Sequence, residues 1–136
     1  MKLLDTTLRF TCLTILLSCS SMQKNIDCSK FRQGQFELHS KYDNSVSLIQ
    51  RNDSIQTEYN KSTGLIVKAK IKWTSQCEYE LQYFQQTTNS TDTIIPFLQT
   101  RPLVTKIIKA TKQYYVFTAS MADTDKTLTD TLFIVK

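Results

Sequence analysis

Few side chains in this 136-residue chain could do covalent or proton-transfer chemistry. They are one histidine, His39, four cysteines, Cys12, Cys19, Cys28 and Cys77, the closely spaced carboxylates Glu78 and Glu80, and a lysine row, Lys68, Lys70 and Lys72. His39 would have to serve any Ser-His-Asp or Cys-His site, yet no serine stands in a nucleophile-elbow glycine pattern. A lone histidine of this kind reads as structural or solvated. Glu78 and Glu80 resemble the acid and base of a glycosidase only in type, because such a pair must flank the bond it cleaves and these two share one strand face. The lysine row could meet anionic lipid or another polyanion; the plainer reading is a solvated sheet face opposed by glutamates. With only Gly34 and Gly64 present, a glycine loop for phosphate is excluded. No catalytic residue, metal site or cofactor is expected.

Cys19 is different. It ends the run "LTILLSC", whose apolar part, Phe10 to Leu17, is eight residues long, far short of the roughly 20 needed to span a membrane. Lys2 and Arg9 precede it and Ser18, Ser20 and Ser21 follow, the charged, apolar, small-residue order of an export signal. The alternative is an N-terminal core strand. Leu16-Leu17-Ser18-Cys19 resembles the lipobox of bacterial lipoproteins, which implies that residues 1–18 are removed and that the Cys19 thiol carries acyl chains. A plain secretory signal is the fallback, since Asp5 and the short apolar run depart from the usual pattern. In an exported chain the cysteines left over are Cys28 and Cys77, and an oxidising compartment favours a disulfide between them. Two inert buried thiols are the competing reading, and a metal site lacks two further ligands nearby.

Loss of residues 1–18 leaves 118 of the 136, enough for one domain with one core. It takes Lys2, Arg9 and Asp5 with it, so the formal net charge falls from +5 to +4. Both signs remain mixed along the chain, a pattern of solubility and not of nucleic-acid binding. Residues 19–30 read as a tether, and the nine residues from Cys19 to Cys28 could reach at most roughly 30 Å. Residues 31–136 form the domain.

Within the domain the apolar period is two. Leu65, Val67, Ala69, Ile71 and Trp73 alternate with Lys68, Lys70 and Lys72, and after Thr74-Ser75-Gln76 the alternation resumes as Cys77, Tyr79, Leu81 and Tyr83 against Glu78 and Glu80. A three-residue loop would set Trp73 against Cys77, Ile71 against Tyr79, Lys72 against Glu78 and Lys70 against Glu80. Shorter strands are expected at 33–40 (Phe36 and Leu38 inward), 45–51 (Val46, Leu48), 54–60 (Ile55, Thr57, Tyr59), 102–110 (Val104, Ile108), 113–119 (Tyr115, Phe117) and 127–135 (Leu128, Leu132, Ile134). Short polar connections make chain neighbours antiparallel, and the 87–101 segment, with Pro96 inside it, is long enough to be a flap or to hide a helical turn. The fold class is therefore all-β: one up-and-down meander of about eight strands, closing into a small lipocalin-like barrel, with an open or two-layer meander as the alternative.

The stretches "CSKFRQGQFEL", "IQRNDSIQTEYN", "TGLIVKAKIKW" and "CEYEL" resemble a family of small exported lipoproteins of Bacteroidetes, over roughly residues 28–81. Some members carry a DNA topoisomerase subunit label, which a short exported chain with no acidic metal cluster does not support. Gly34 before an aromatic strand, and Trp73 in a long central one, are similar to lipocalin barrels, with Phe36 where those have tryptophan. The expected function is non-enzymatic: an envelope lipoprotein held by N-terminal acyl chains, on the periplasmic side of the outer membrane, acting as a protein-interaction or structural module. The alternative is a barrel enclosing one small apolar ligand among Trp73, Tyr79, Tyr83 and Phe117.

Overall fold

The computed structural model describes residues 26–87, 98–122 and 124–136. A 3-10 turn, Ser29–Phe31, leads into eight strands: β1 (Gly34–His39), β2 (Val46–Arg51), β3 (Ile55–Asn60), β4 (Ile66–Trp73), β5 (Glu78–Thr87), β6 (Leu103–Ala110), β7 (Tyr114–Met121) and β8 (Thr127–Ile134). Each pairs antiparallel with the next, and β1 closes on β8 through Phe36 opposite Ile134 and Leu38 opposite Leu132. The meander is a closed small lipocalin-like barrel, so none of the eight described strands has a free edge to pair with another chain.

The loops that close it are local chemistry. Between β3 and β4 the Asn60 side-chain oxygen accepts the N–H groups of Ser62 and Thr63, and Gly64 ends the turn at φ +72°, a conformation that side chains with a Cβ rarely adopt.

Two features of the strands depart from the expectations above. The β4–β5 hairpin keeps its inner and outer faces, but its register is two residues further on: Trp73 faces Tyr79, Ile71 faces Leu81 and Lys72 faces Glu80. Cys77 is drawn out of the ladder into the loop, where the Glu78 carbonyl accepts the Thr74 and Ser75 N–H groups. A two-residue shift preserves sidedness, which is why alternation alone did not distinguish the two pairings.

The second departure is an inversion. Leu48 on β2, and Ile55, Thr57 and Tyr59 on β3, do not form the inner face; Ile49, Arg51 and Gln56 are buried there instead, while Leu48 and Tyr59 are exposed at 36% and 40%. β6 is inverted too: Thr105 and Ile107 are buried in place of Val104 and Ile108, Ile108 is 47% exposed, and a bulge between Ile107 and Lys109 breaks the register at that point. The core runs through Phe36, Ile71, Tyr79, Leu81, Tyr115, Phe117 and Leu132. Most of it is apolar; the buried polar side chains include Arg51 on β2, Gln56 on β3, Thr105 on β6 and Asp130 on β8.

Candidate functional site

The two ends of the barrel are built differently. At one end lie the 3-10 turn, the starts of β1, β5 and β7, and the β4–β5 loop. Cys28, fully buried, is bonded to Cys77 with Cα atoms 5.3 Å apart, well inside the range for an unforced bridge. Phe31 enters the barrel as a stopper, its ring 4.7 Å from that of Tyr115, which in turn meets Phe36 edge-on at 5.8 Å. This is the closed end.

Above the stopper lies Arg51. Its guanidinium donates to the Phe31 carbonyl at 2.9 Å, to the Gln56 side-chain oxygen through Nε at 2.9 Å and Nη2 at 2.5 Å, and to the Tyr79 hydroxyl at 3.1 Å. The Phe36 and Tyr79 rings flank it at 5.1 and 4.7 Å. From there the network continues. The Tyr79 hydroxyl is 3.3 Å from that of Tyr115, the Gln56 amide donates to Glu58 at 2.7 Å, and the Tyr83 hydroxyl donates to the same Glu58 oxygen at 2.8 Å. A buried guanidinium is tolerated only when its fork is filled, and here neutral oxygens fill most of it. Burial, with the Glu58 carboxylate next, holds the Tyr83 hydroxyl well above the usual range; burial, with Tyr79 next, does the same to Tyr115. The network links β2, β3, β5 and β7 across the interior.

At the opposite end the described residues form a depression. Leu98, Leu103, Ala119, Met121 and Leu128, with Tyr42 and Lys126 at its rim, line a cup of about 530 Å³. Residues 98–100, within the connection from β5 to β6, are helical, and the Gln82 side chain donates to the Leu98 carbonyl at 3.3 Å and to the Gln99 carbonyl. Those contacts tie the cup wall to β5.

The expected site residues fall into three groups. Cys28 and Cys77 are joined. Tyr79, Tyr83 and Phe117 face the interior at 1%, 8% and 8% exposure, and Trp73 lies half-buried at the closed end, its ring 4.7 Å from that of Tyr79. None of these four lines the cup. Lys68, Lys70 and Lys72 point outward from β4, with Lys72 opposite Glu80 in register. Cys19, residues 1–18 and most of the tether lie outside the described residues, as does 88–97 of the 87–101 segment.

His39 lines an open depression with Glu37, Lys41, Asp130, Thr131 and Phe133. Its ring nitrogen lies 3.2 Å from Glu37, which also takes Lys61 at 2.8 Å, and Lys61 with His39 holds the Glu37 carboxyl below its ordinary value. Among the described residues, no group of three or more His, Cys, Asp or Glu side chains is arranged to hold a metal.

Arg51, Gln56, Glu58, Tyr115 and Phe31 were not legible as an interior network from their own strands. The available signal was indirect: three inward tyrosines, Tyr79, Tyr83 and Tyr115, require hydrogen-bond partners when buried, and those partners had to come from neighbouring strands.

No protein-family model matches the chain, and neither a curated protein nor a solved structure does.

Proposed function

We propose that the protein is a non-enzymatic lipoprotein of the bacterial envelope, held to the outer membrane by acyl chains on Cys19 and facing the periplasm, that works by docking another envelope protein at its open end. The observation that carries this reading is the contrast of the two ends. The chain enters at the closed end, where Cys28 is bonded to Cys77, so an anchor at Cys19 leaves the apolar cup turned away from the membrane. Below that cup the interior is filled by Phe117, Tyr115, Phe36 and the Arg51 network, which leaves the rim and cup as the surface for contact. The lipobox and the likeness to exported Bacteroidetes lipoproteins support the anchor and the location.

A second reading has its own support. The cup, at about 530 Å³, falls within the roughly 300–1,000 Å³ of small-molecule sites, and its lining is mainly apolar. One small apolar ligand held at the mouth is therefore the alternative.

One experiment separates them. The lipidated protein is isolated from its own envelope, and co-purifying proteins and extracted lipids are both identified by mass spectrometry, in parallel with Leu103→Asp and Leu128→Asp. A stoichiometric protein lost in both variants supports docking, and an apolar small molecule lost in both supports the ligand. Recovery unchanged by either substitution rules the cup out. Replacing Cys19 with Ala moves an acyl-anchored protein into the soluble fraction; unchanged retention removes the anchor.

A further inference from the structure

The outer surface of the closed end carries a ring of cations that the docking function does not use. Lys30, Arg32, Lys72, Lys109 and Lys112 are all exposed there, and among the described residues none is in an ion pair. Carboxylates share this end, bonded to neutral donors or set beside the cations: Glu78 accepts the Thr74 hydroxyl at 3.5 Å and Glu80 stands opposite Lys72 in register. Asp27 accepts the Ser29 N–H and hydroxyl at 3.0 and 2.7 Å, and Asp53 accepts the Gln33 amide at 2.6 Å. Three of the cations lie over aromatic rings: Lys30 over Phe31 at 4.9 Å, Arg32 over Trp73 at 4.9 Å and Lys109 over Tyr114 at 6.0 Å. Cations placed over half-buried Trp and Tyr are the composition of a surface that settles at a membrane–water boundary.

The other end lacks this character. Lys61 there is taken up by Glu37 at 2.8 Å, Asp43 stands two residues from Lys41, and Asp125 adjoins Lys126.

From these observations we propose that the closed end of the barrel docks directly on a bilayer carrying anionic headgroups, with Arg32, Lys72 and Lys112 over the headgroups and Trp73 and Tyr114 at the boundary. Position supplies the reason for choosing a bilayer over another polyanion. The chain leaves the barrel at this end, beside the Cys28–Cys77 bridge, and a tether from Cys19 reaching at most roughly 30 Å keeps the end near the surface that holds it. The inference deepens the anchored reading and rests on it for which membrane is met. The charge and aromatic pattern itself does not depend on acylation. Docking fixes the axis of the barrel and holds the cup outward, which an anchor at Cys19 alone does not do.

The test uses the full chain with Cys19→Ala, so that acyl chains contribute nothing, and vesicles of phosphatidylethanolamine and phosphatidylglycerol (7:3) or of phosphatidylcholine alone. Trp73 is the only tryptophan, so its quenching by brominated phosphatidylglycerol reports docking of this end. Expected are binding to the anionic vesicles that weakens sharply between 50 and 300 mM salt, little binding to phosphatidylcholine, and Trp73 quenching. With roughly fivefold affinity per cation near an anionic surface, Arg32→Glu/Lys112→Glu should weaken binding at least 20-fold, whereas Lys41→Glu/Lys61→Glu, with the same net charge, should stay within about threefold. Circular dichroism checks that both doubles fold. Equal losses in the two doubles, or binding without Trp73 quenching, would overturn the proposal. Envelope fractionation of the chain with Cys19 intact reads the acyl anchor independently, so a missing anchor and a non-docking end give different results.

Discussion

The closed and open ends of the barrel hold the same eight strands together by different means. At the closed end a covalent bridge, a buried stopper and a guanidinium with filled hydrogen bonds lock the turn, the strands and the interior to one another. At the open end most of the apolar side chains that line the cup, Leu98, Leu103, Met121 and Leu128, are half-buried, and among the described residues Gln82 ties β5 to the backbone of 98–99. Rigidity has been placed at the end where the chain enters, and apolar surface at the end where a partner can reach it. The difference predicts an uneven response to substitution, large at the closed end and small at the open one.

The largest effect should come from the bridge. Its loop spans 49 residues, and on the chain-entropy relation such a crosslink contributes about 4 kcal/mol. Cys28→Ala/Cys77→Ala, or reduction, should lower the melting temperature by well over ten degrees, read by thermal circular dichroism. Arg51→Leu comes next at about 3 kcal/mol, because it strands the Phe31 carbonyl, Gln56 and the Tyr79 hydroxyl in a dry interior. Chemical denaturation measures it, and a cost under about 1 kcal/mol would mean that the network does not hold the closed end.

Alkaline pH probes the same interior. Tyr83 and Tyr115 have values raised above 10.0 in the fold, so above that pH the unfolded chain loses protons that the folded chain keeps. Stability is therefore unaffected by these two groups below about pH 10 and falls as pH rises beyond it, by up to about 1.4 kcal/mol per pH unit for each. Tyr115→Phe should flatten the fall in a series of melts from pH 9 to 11.

Smaller effects mark where the lock ends. The Thr105 hydroxyl is buried with no partner among the described residues, so Thr105→Val should cost nothing or stabilise by up to about 1 kcal/mol. At the open end, Leu128→Ser should cost about 1 kcal/mol, since the side chain is half-exposed before the change. An open-end loss as large as that of Arg51→Leu would erase the contrast.

How much of this could be read from the residues depends on which hairpin is considered. In β4–β5 the apolar residues of one phase are all inward and the lysines and glutamates of the other are outward, so sidedness was legible and only the loop length was not. In β2–β3 the pattern misleads. Ile55, Thr57 and Tyr59 make a better apolar stripe than Gln56 and Glu58, yet the polar phase is inward because Arg51, Tyr79 and Tyr83 offer it partners that no local window contains. β6 misleads as well: Val104 and Ile108 read as its inward apolar phase, yet Thr105 and Ile107 are the buried ones and Ile108 is exposed. Closure, strand number and the bridge were legible from turn spacing and cysteine arithmetic. The polar interior and the cup were not, since both are assembled from strands far apart in sequence.

The most direct test of the docking reading is site-specific photocrosslinking in living cells, with the photoreactive residue at Met121 on the cup rim and, separately, at Thr57 on the outer face of β3. Docking at the open end predicts a discrete protein adduct from position 121 that disappears with Leu103→Asp, and none of the same mass from position 57. The same adduct from both positions, or an adduct from 121 that is unaffected by Leu103→Asp, would contradict it.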